Sequence, residues 1–270
     1  MTVKTKNYLL SGAFLLYLIL FLRLSTFDLS FSQYLTSVRY EPFVLWGKHV
    51  GVLPASVIPG FAFCVLERSY EGKYRYLCIL GGYVSCVIAA YHICSIFWTD
   101  PWLQCAAGGF LLALLMRKAA EHVPLNEDTI RICQAGILLA ACSVSLTAVL
   151  KVIWGRPRFW SLSMDMQEYA QWYEISGPAW FTDMNKSFPS GHTTAASVIL
   201  WIRYLPKLDK RLQGREIILT VVVVLWIVCT ALARIMAGMH YISDTMAGFA
   251  VCFTVYLVIE RRFINQSSET

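Results

Sequence analysis

The sequence predicts an all-α fold, a polytopic bundle of transmembrane helices, on three observations. Charged residues make up 15% of the 270 residues and hydrophobic ones 57%, whereas a soluble domain carries about 25% charged residues. The apolar residues come in long blocks, with a mean hydropathy of +0.54. The basic residues lie between those blocks, as in the loops of a membrane protein. A water-soluble globular fold is excluded because too few charges remain to cover its surface.

Eight apolar blocks follow in order: Tyr8–Leu22, Phe43–Leu66, Leu77–Trp98, Trp102–Met116, Ile132–Leu150, Gly191–Leu205, Ile217–Ile235 and Tyr241–Ile259. The first follows Lys4 and Lys6 as a signal peptide would, but Arg23 and Leu24 succeed it without a small-residue cleavage site. A retained helix is expected. The fourth and sixth are short against the roughly 20 residues a spanning helix needs; flanking residues or a thinned bilayer make up the difference. If the fourth is instead re-entrant or lies on the surface, seven spans remain and the charge pattern breaks.

Loop charge orients the bundle. With the N-terminus inside, the inner loops hold Arg68, Lys73 and Arg75; then Arg117, Lys118 and Arg131; then Arg203, Lys207, Lys210, Arg211 and Arg215; and the tail holds Arg261 and Arg262. The outer "FWTDPW" has no Lys or Arg, although Arg23, Arg39 and Lys48 break the rule in the first outer loop. Eight spans with both termini cytoplasmic, in a cell inner or plasma membrane, are therefore expected. The net charge of +6 does not imply a nucleic-acid partner, because no basic run interleaves with aromatics. The nine cysteines all fall in apolar blocks without a C-x-x-C pair and read as small hydrophobes. Residues 1–270 form one membrane domain, in which 1–131 supply leading helices and 132–259 the polar clusters.

Those clusters stand at the ends of three helices. Residues 151–190 form the longest polar interval, and such loops are usually functional. The fifth block ends in "KVIWGRPRF", the sixth begins with "PSGH", and "ARIMAGMHYISD" joins the seventh to the eighth. Parity of the spans puts all three on one face. Lys151, Arg158 and Arg234 supply fixed positive charge suited to phosphate oxygens. Ser190 and Gly191 precede a helix, whose free amides favour an anion. His192 and His240 offer proton transfer or nucleophilic attack. His240 and Asp244 are four residues apart, on one helical face, so the carboxylate can hold the imidazole in one tautomer. Taken singly, each cluster has a plainer reading as a helix cap, a snorkelling cation or a structural pair; together they read as a site.

These motifs resemble the type 2 phosphatidic acid phosphatase superfamily, which carries K-x6-R-P, P-S-G-H and S-R-x5-H-x3-D. Lys151 and Arg158 match the first, with Phe159 in place of proline; residues 189–192 match the second; Arg234, His240 and Asp244 match the third, with Ala233 in place of serine. The resemblance covers about residues 151–244. It implies that His240 is the nucleophile, forming a phosphohistidine, that Asp244 orients it, and that His192 protonates the leaving group and then activates water. It implies that Lys151, Arg158, Arg234, Ser190 and the Gly191 amide bind the phosphoryl oxygens, and that neither metal nor cofactor is needed.

Outside the motifs, Arg156 and Lys186 are candidate headgroup contacts. Asp165, Glu168, Glu174 and Asp183 read as loop solvation or headgroup contacts, and Trp154, Trp160, Trp172 and Trp180 as interfacial anchors. His49 and His92 read as structural. The expected partners are the bilayer and a lipid phosphate or pyrophosphate: undecaprenyl pyrophosphate, phosphatidylglycerol phosphate, phosphatidate or lipid A phosphates. A lipid-to-lipid phosphotransferase shares this chemistry. A transporter that binds phospholipid without cleaving it needs only the cations, and retention of both histidines and Asp244 argues against it. Vanadate haloperoxidases share the motifs but are soluble.

Overall fold

Each apolar block becomes helix, and the polar punctuation between blocks sets where it stops. The structure is a computed structural model that describes residues 3–180 and 182–264, with no strand among them. The first block forms α1 (Val3–Ser25), which meets α2 (Asp28–Ser37) at a bend of 69°. The second is broken into α3 (Glu41–His49) and α4 (Pro54–Leu66), with Pro42 and Pro54 in the opening turns, where a missing N–H costs nothing. The third and fourth blocks are α5 (Gly72–Cys94) and α6 (Trp102–Ala120).

The fifth block is α7 (Glu127–Trp154). Asn126 caps it by accepting the Thr129 amide at 2.8 Å, and Glu127 and Asp128 face the positive end of its dipole. It stops at Gly155, which is left-handed with φ 63°. A Cβ there would sit 1.9 Å from the Gly177 carbonyl oxygen, so only glycine lets the long loop cross this close.

The sixth block is a helical run in three pieces: α8 (Gly191–Ser197), a 3-10 stretch (Val198–Tyr204) and α9 (Leu205–Leu208). Pro206 cannot donate to Ile202, and the Leu205 amide takes that carbonyl in a tighter turn. The last two blocks are α10 (Glu216–Met236) and α11 (Ile242–Ile259). Among the described residues, six helical segments are long and apolar enough to cross a membrane, or seven if the bent α1–α2 pair is one span. Trp102–Ala120, the fourth block, is among the six.

Two apolar cores hold the bundle. Ile132, Leu139, Trp201, Ile227, Cys252 and Tyr256 join α7, the 191–208 run, α10 and α11. Ala62, Val65, Cys86, Met116 and Cys133 join α4, α5, α6 and α7. The Trp201 indole donates to the Ile132 carbonyl at 2.8 Å, which satisfies its one polar atom inside the first core. All nine cysteines are free, and six are buried as small apolar groups.

Residues 155–190 cross one end of the bundle. The loop is tied back by Ala179 N–H to Val152 O (2.8 Å), Arg158 N–H to Met184 O (2.8 Å), Ser187 N–H to Arg156 O (3.0 Å) and Trp160 N–H to Gly238 O (3.0 Å). Trp160 and Trp180 are exposed, in keeping with an interfacial place. Trp154 and Trp172 instead pack on Phe188 beneath the loop.

Candidate active site

The three polar clusters meet at this end of the bundle. Gly248 of α11 lies so close to Ser190 that a Cβ would fall 2.4 Å from its carbonyl oxygen. The Ser190 amide donates to the Asp244 carbonyl at 2.8 Å, so the "PSGH" turn and the start of α11 are stitched together. The Thr194 hydroxyl bonds to both Gly248 O and Thr147 Oγ1, at 3.0 Å each, which adds α7. The Ser190 hydroxyl caps α8 and contacts Thr193 Oγ1 at 3.0 Å.

The rings of His240 and His192 stand with centroids 6.4 Å apart. His240 is fully buried, and its Nδ1 lies 2.8 Å from the Ser187 carbonyl oxygen. A carbonyl only accepts, so Nδ1 carries the proton and Nε2 keeps its lone pair. The Asp244 carboxylate is farther from Nδ1, at 3.6 Å. The orienting acceptor is thus the Ser187 backbone, and Asp244 contributes charge from behind it. Burial and the Lys151 ammonium push the His240 imidazole down to about 3, against the pull of Asp244, so the free ring is neutral.

Asp244 is itself enclosed. It accepts from Arg156 Nη1 at 2.6 Å, from the Tyr241 amide at 2.8 Å and from the Ser187 hydroxyl. Arg156, expected at a lipid headgroup, has no exposed surface and is not available to one. Its guanidinium bonds Asp244, Asp28 Oδ2 at 3.0 Å, Ser243 Oγ at 2.8 Å and the Ala170 carbonyl at 2.9 Å, and it lies over the Tyr241 ring at 4.2 Å. Asp28, on α2, also accepts from the Ser243 amide at 2.9 Å and from the Ser243 hydroxyl. Asp28, Ser187 and Ser243 were not legible as site residues. The available signal was a lone carboxylate just past an apolar block, since intramembrane acids are costly and seldom idle.

The remaining cations sit apart from this cluster. Lys151, Arg158, Lys186, Gly191, His192 and His240 line one cavity of about 490 Å³, together with Asp183. Lys151 Nζ donates to the Lys186 carbonyl at 2.7 Å. Arg158 is paired with Asp183 at 2.9 Å, so that carboxylate does more than solvate the loop. Arg234 is buried within electrostatic reach of His192 and Lys151. The Nε atoms of Arg158 and Arg234 are buried with no hydrogen-bond partner among the described residues. A buried unpaired donor costs about 1–3 kcal/mol, a cost that any acceptor reaching these atoms would offset. Lys186 reaches the cavity rim and donates to Trp180 O at 3.2 Å. Among the described residues, no group of three or more His, Cys, Asp or Glu side chains is arranged to hold a metal ion.

The model of the PAP2 superfamily matches residues 132–266, from early α7 into the C-terminal tail. The chain belongs to the PAP2 superfamily. No solved structure matches it. PAP2 superfamily members hydrolyse phosphate esters, and the chain is an enzyme of that class. Two PAP2 motif positions differ here, and both are packing positions. Phe159 meets Tyr241 edge-on at 6.3 Å. Ala233 lies against Gly47 of α3, where little more than its methyl fits. Helices α1 to α6 lie outside the matched residues, yet α2 supplies Asp28 to the site.

Proposed function

We propose that this protein is a membrane phosphatase that removes phosphate from a lipid phosphate or pyrophosphate through a phosphohistidine on His240. The observation that carries the lipid assignment is the shape of the 490 Å³ cavity. Its catalytic end bears Lys151, Arg158, His192 and His240, and its flank is apolar, with Val52, Ala55, Ile88, Val144 and Ala195. Ile88 and Val144 are 47% and 45% exposed on α5 and α7, which both pack on α4. A phosphate at the catalytic end can therefore keep its chain in the bilayer through this flank, whereas a soluble phosphate ester has no use for it.

In the mechanism, Lys151, Arg158 and Arg234 bind the equatorial oxygens and stabilise their charge. His240 Nε2 attacks phosphorus while Nδ1–H stays on Ser187 O. The ring becomes cationic as the P–N bond forms. Two carboxylates and one guanidinium make the cluster behind it a net single negative charge, which favours that cation. His192 gives a proton to the leaving oxygen, then takes one from water as water cleaves the P–N bond. Any metal-free character follows from this reading and is open to test by chelation.

The order of the helices supports eight passes. The 191–208 run starts at the site end, as α6 and α11 do, and α5, α7 and α10 finish there. With α1 as a further pass, the loop charges favour both termini in the cytoplasm and the site on the outer face of an inner or plasma membrane. The test is release of inorganic phosphate from a panel of lipid phosphates by the purified protein in detergent. Cleavage by wild type and not by His240→Ala is expected; equal cleavage by both, or none by either, removes the reading.

A further inference from the structure

A second cavity, of about 460 Å³, meets the first at His192 and His92. It is built by the ends of α3 and α5, outside the residues matched by the family model. Its polar lining comprises Lys48, His49, Tyr91, His92, Ser95, Thr99 and His192, with no Asp or Glu. His49 is 6% exposed, and its Nδ1 has no hydrogen-bond partner among the described residues; nor does the buried Ser95 hydroxyl. His49 and His92 stand with ring centroids 6.4 Å apart. Gly47 packs on Ala233, which sets this end of α3 against the turn of α10 that carries Arg234. Among the described residues, His49 Nδ1 therefore lacks the structural hydrogen bond the sequence suggested. His49 and His92 converge on a space whose polar groups are all able to donate and none of which is a carboxylate.

Its position relative to the reaction gives that space a meaning. Attacking and leaving atoms lie roughly in line in phosphoryl transfer. With His240 as nucleophile and His192 as acid, the leaving oxygen lies on the His192 side, and whatever it carries passes beside His192. We infer that Lys48, His49 and His92 form an anion subsite for a second phosphate, carried on the leaving oxygen. This rests on the phosphatase reading and narrows its substrate to a lipid diphosphate held at both phosphorus atoms. His240 Nε2 bonds to the terminal phosphorus, and the bond from that phosphorus to the bridging oxygen breaks. The oxygen keeps the electron pair and takes the proton of His192, and the lipid monophosphate departs with its own phosphate on Lys48, His49 and His92. Water then cleaves the P–N bond and releases inorganic phosphate. The chain leaves by the apolar flank, which shares His92 and His192 with the subsite.

The experiment compares the monophosphate and diphosphate of one prenyl alcohol in detergent, with inorganic phosphate as inhibitor. The variants are Lys48→Glu, whose side chain is exposed and tolerant of change, and His49→Gln with His92→Gln, each checked by thermal unfolding. The diphosphate-to-monophosphate ratio of kcat/KM is expected to fall about tenfold or more in both. A ratio that stays within twofold of wild type in both overturns the subsite. Weaker inhibition by inorganic phosphate without a change in ratio identifies a free-phosphate site and overturns the diphosphate assignment. Wild-type cleavage of either lipid is the separate control for the phosphatase reading.

Discussion

Arg156 and Arg158 stand two residues apart and meet opposite fates. Arg156 turns inward, loses all contact with solvent and joins Asp28 and Asp244. Arg158 turns into the open cavity, keeps one nitrogen without a hydrogen-bond partner among the described residues and pairs with a carboxylate that is 71% exposed. One region is a closed cluster whose charges answer one another; the other is an open cationic surface waiting on an anion. A catalytic machine of this kind needs both. On the mechanism proposed above, the closed cluster fixes the nucleophile and its charge, and the open one responds to what arrives.

The comparison breaks outright if the nucleophile is wrong. His240→Gln is expected to lower kcat by roughly four orders of magnitude or more, with no acid-labile, base-stable phosphoenzyme on rapid quench. Residual turnover within a hundredfold of wild type would move the chemistry elsewhere.

The two arginines are separated by their variants. Arg156→Leu leaves two buried carboxylates without a partner, and such losses cost about 3–5 kcal/mol. The unfolding temperature in detergent should fall sharply, with activity falling alongside. Arg158→Ala should leave that temperature near wild type and cut kcat/KM about 10²–10³-fold, as for loss of one oxyanion donor. If the two swap profiles, the division into closed and open regions is wrong. Asp28→Asn refines the first half. It cancels the net negative charge behind His240, so kcat should fall about 10–100-fold while KM stays within about threefold. A KM effect without a kcat effect would place Asp28 in substrate binding instead.

How much of this was legible follows the same division. The eight apolar blocks all appear as helix, because period and composition are local. The motifs that line the cavity were legible too: its cations and histidines lie in short runs, and the span order brings those runs to one end. The closed cluster was not. Asp28 and Arg156 are separated by 128 positions, and no local pattern encodes which carboxylate a buried guanidinium will find. The same blindness hid Ser187 as the acceptor of His240, since a backbone carbonyl has no signature in sequence. It also made Arg156 look like a loop cation.

Within the open region, Asp183 pairs with the arginine that the proposed mechanism gives to phosphate. A pair with one exposed partner is worth about 0–1 kcal/mol, so Asp183→Asn should lower KM by up to about fivefold and leave kcat near wild type. A rise in KM would instead make Asp183 a contact that positions Arg158 for substrate.

The smallest effect expected is of pH, and it separates the regions once more. An ordinary histidine gains its proton near 6.5, but His240 is held to about 3 by burial and by Lys151. Its folded pKa is thus depressed, and the neutral nucleophile persists as pH falls from 6.5 to well below 5. The ring nitrogen signals of His240 in ¹⁵N-histidine-labelled protein should therefore stay constant between pH 7 and 5, with Nδ1 protonated and Nε2 not. The unfolded chain does take up that proton near 6.5, so His240 costs stability progressively from pH 6.5 down towards 3. His240→Gln should remove this share of the acid sensitivity. If the His240 signals titrate near 6.5, the pocket is wetter than its burial implies, and the closed region is not closed.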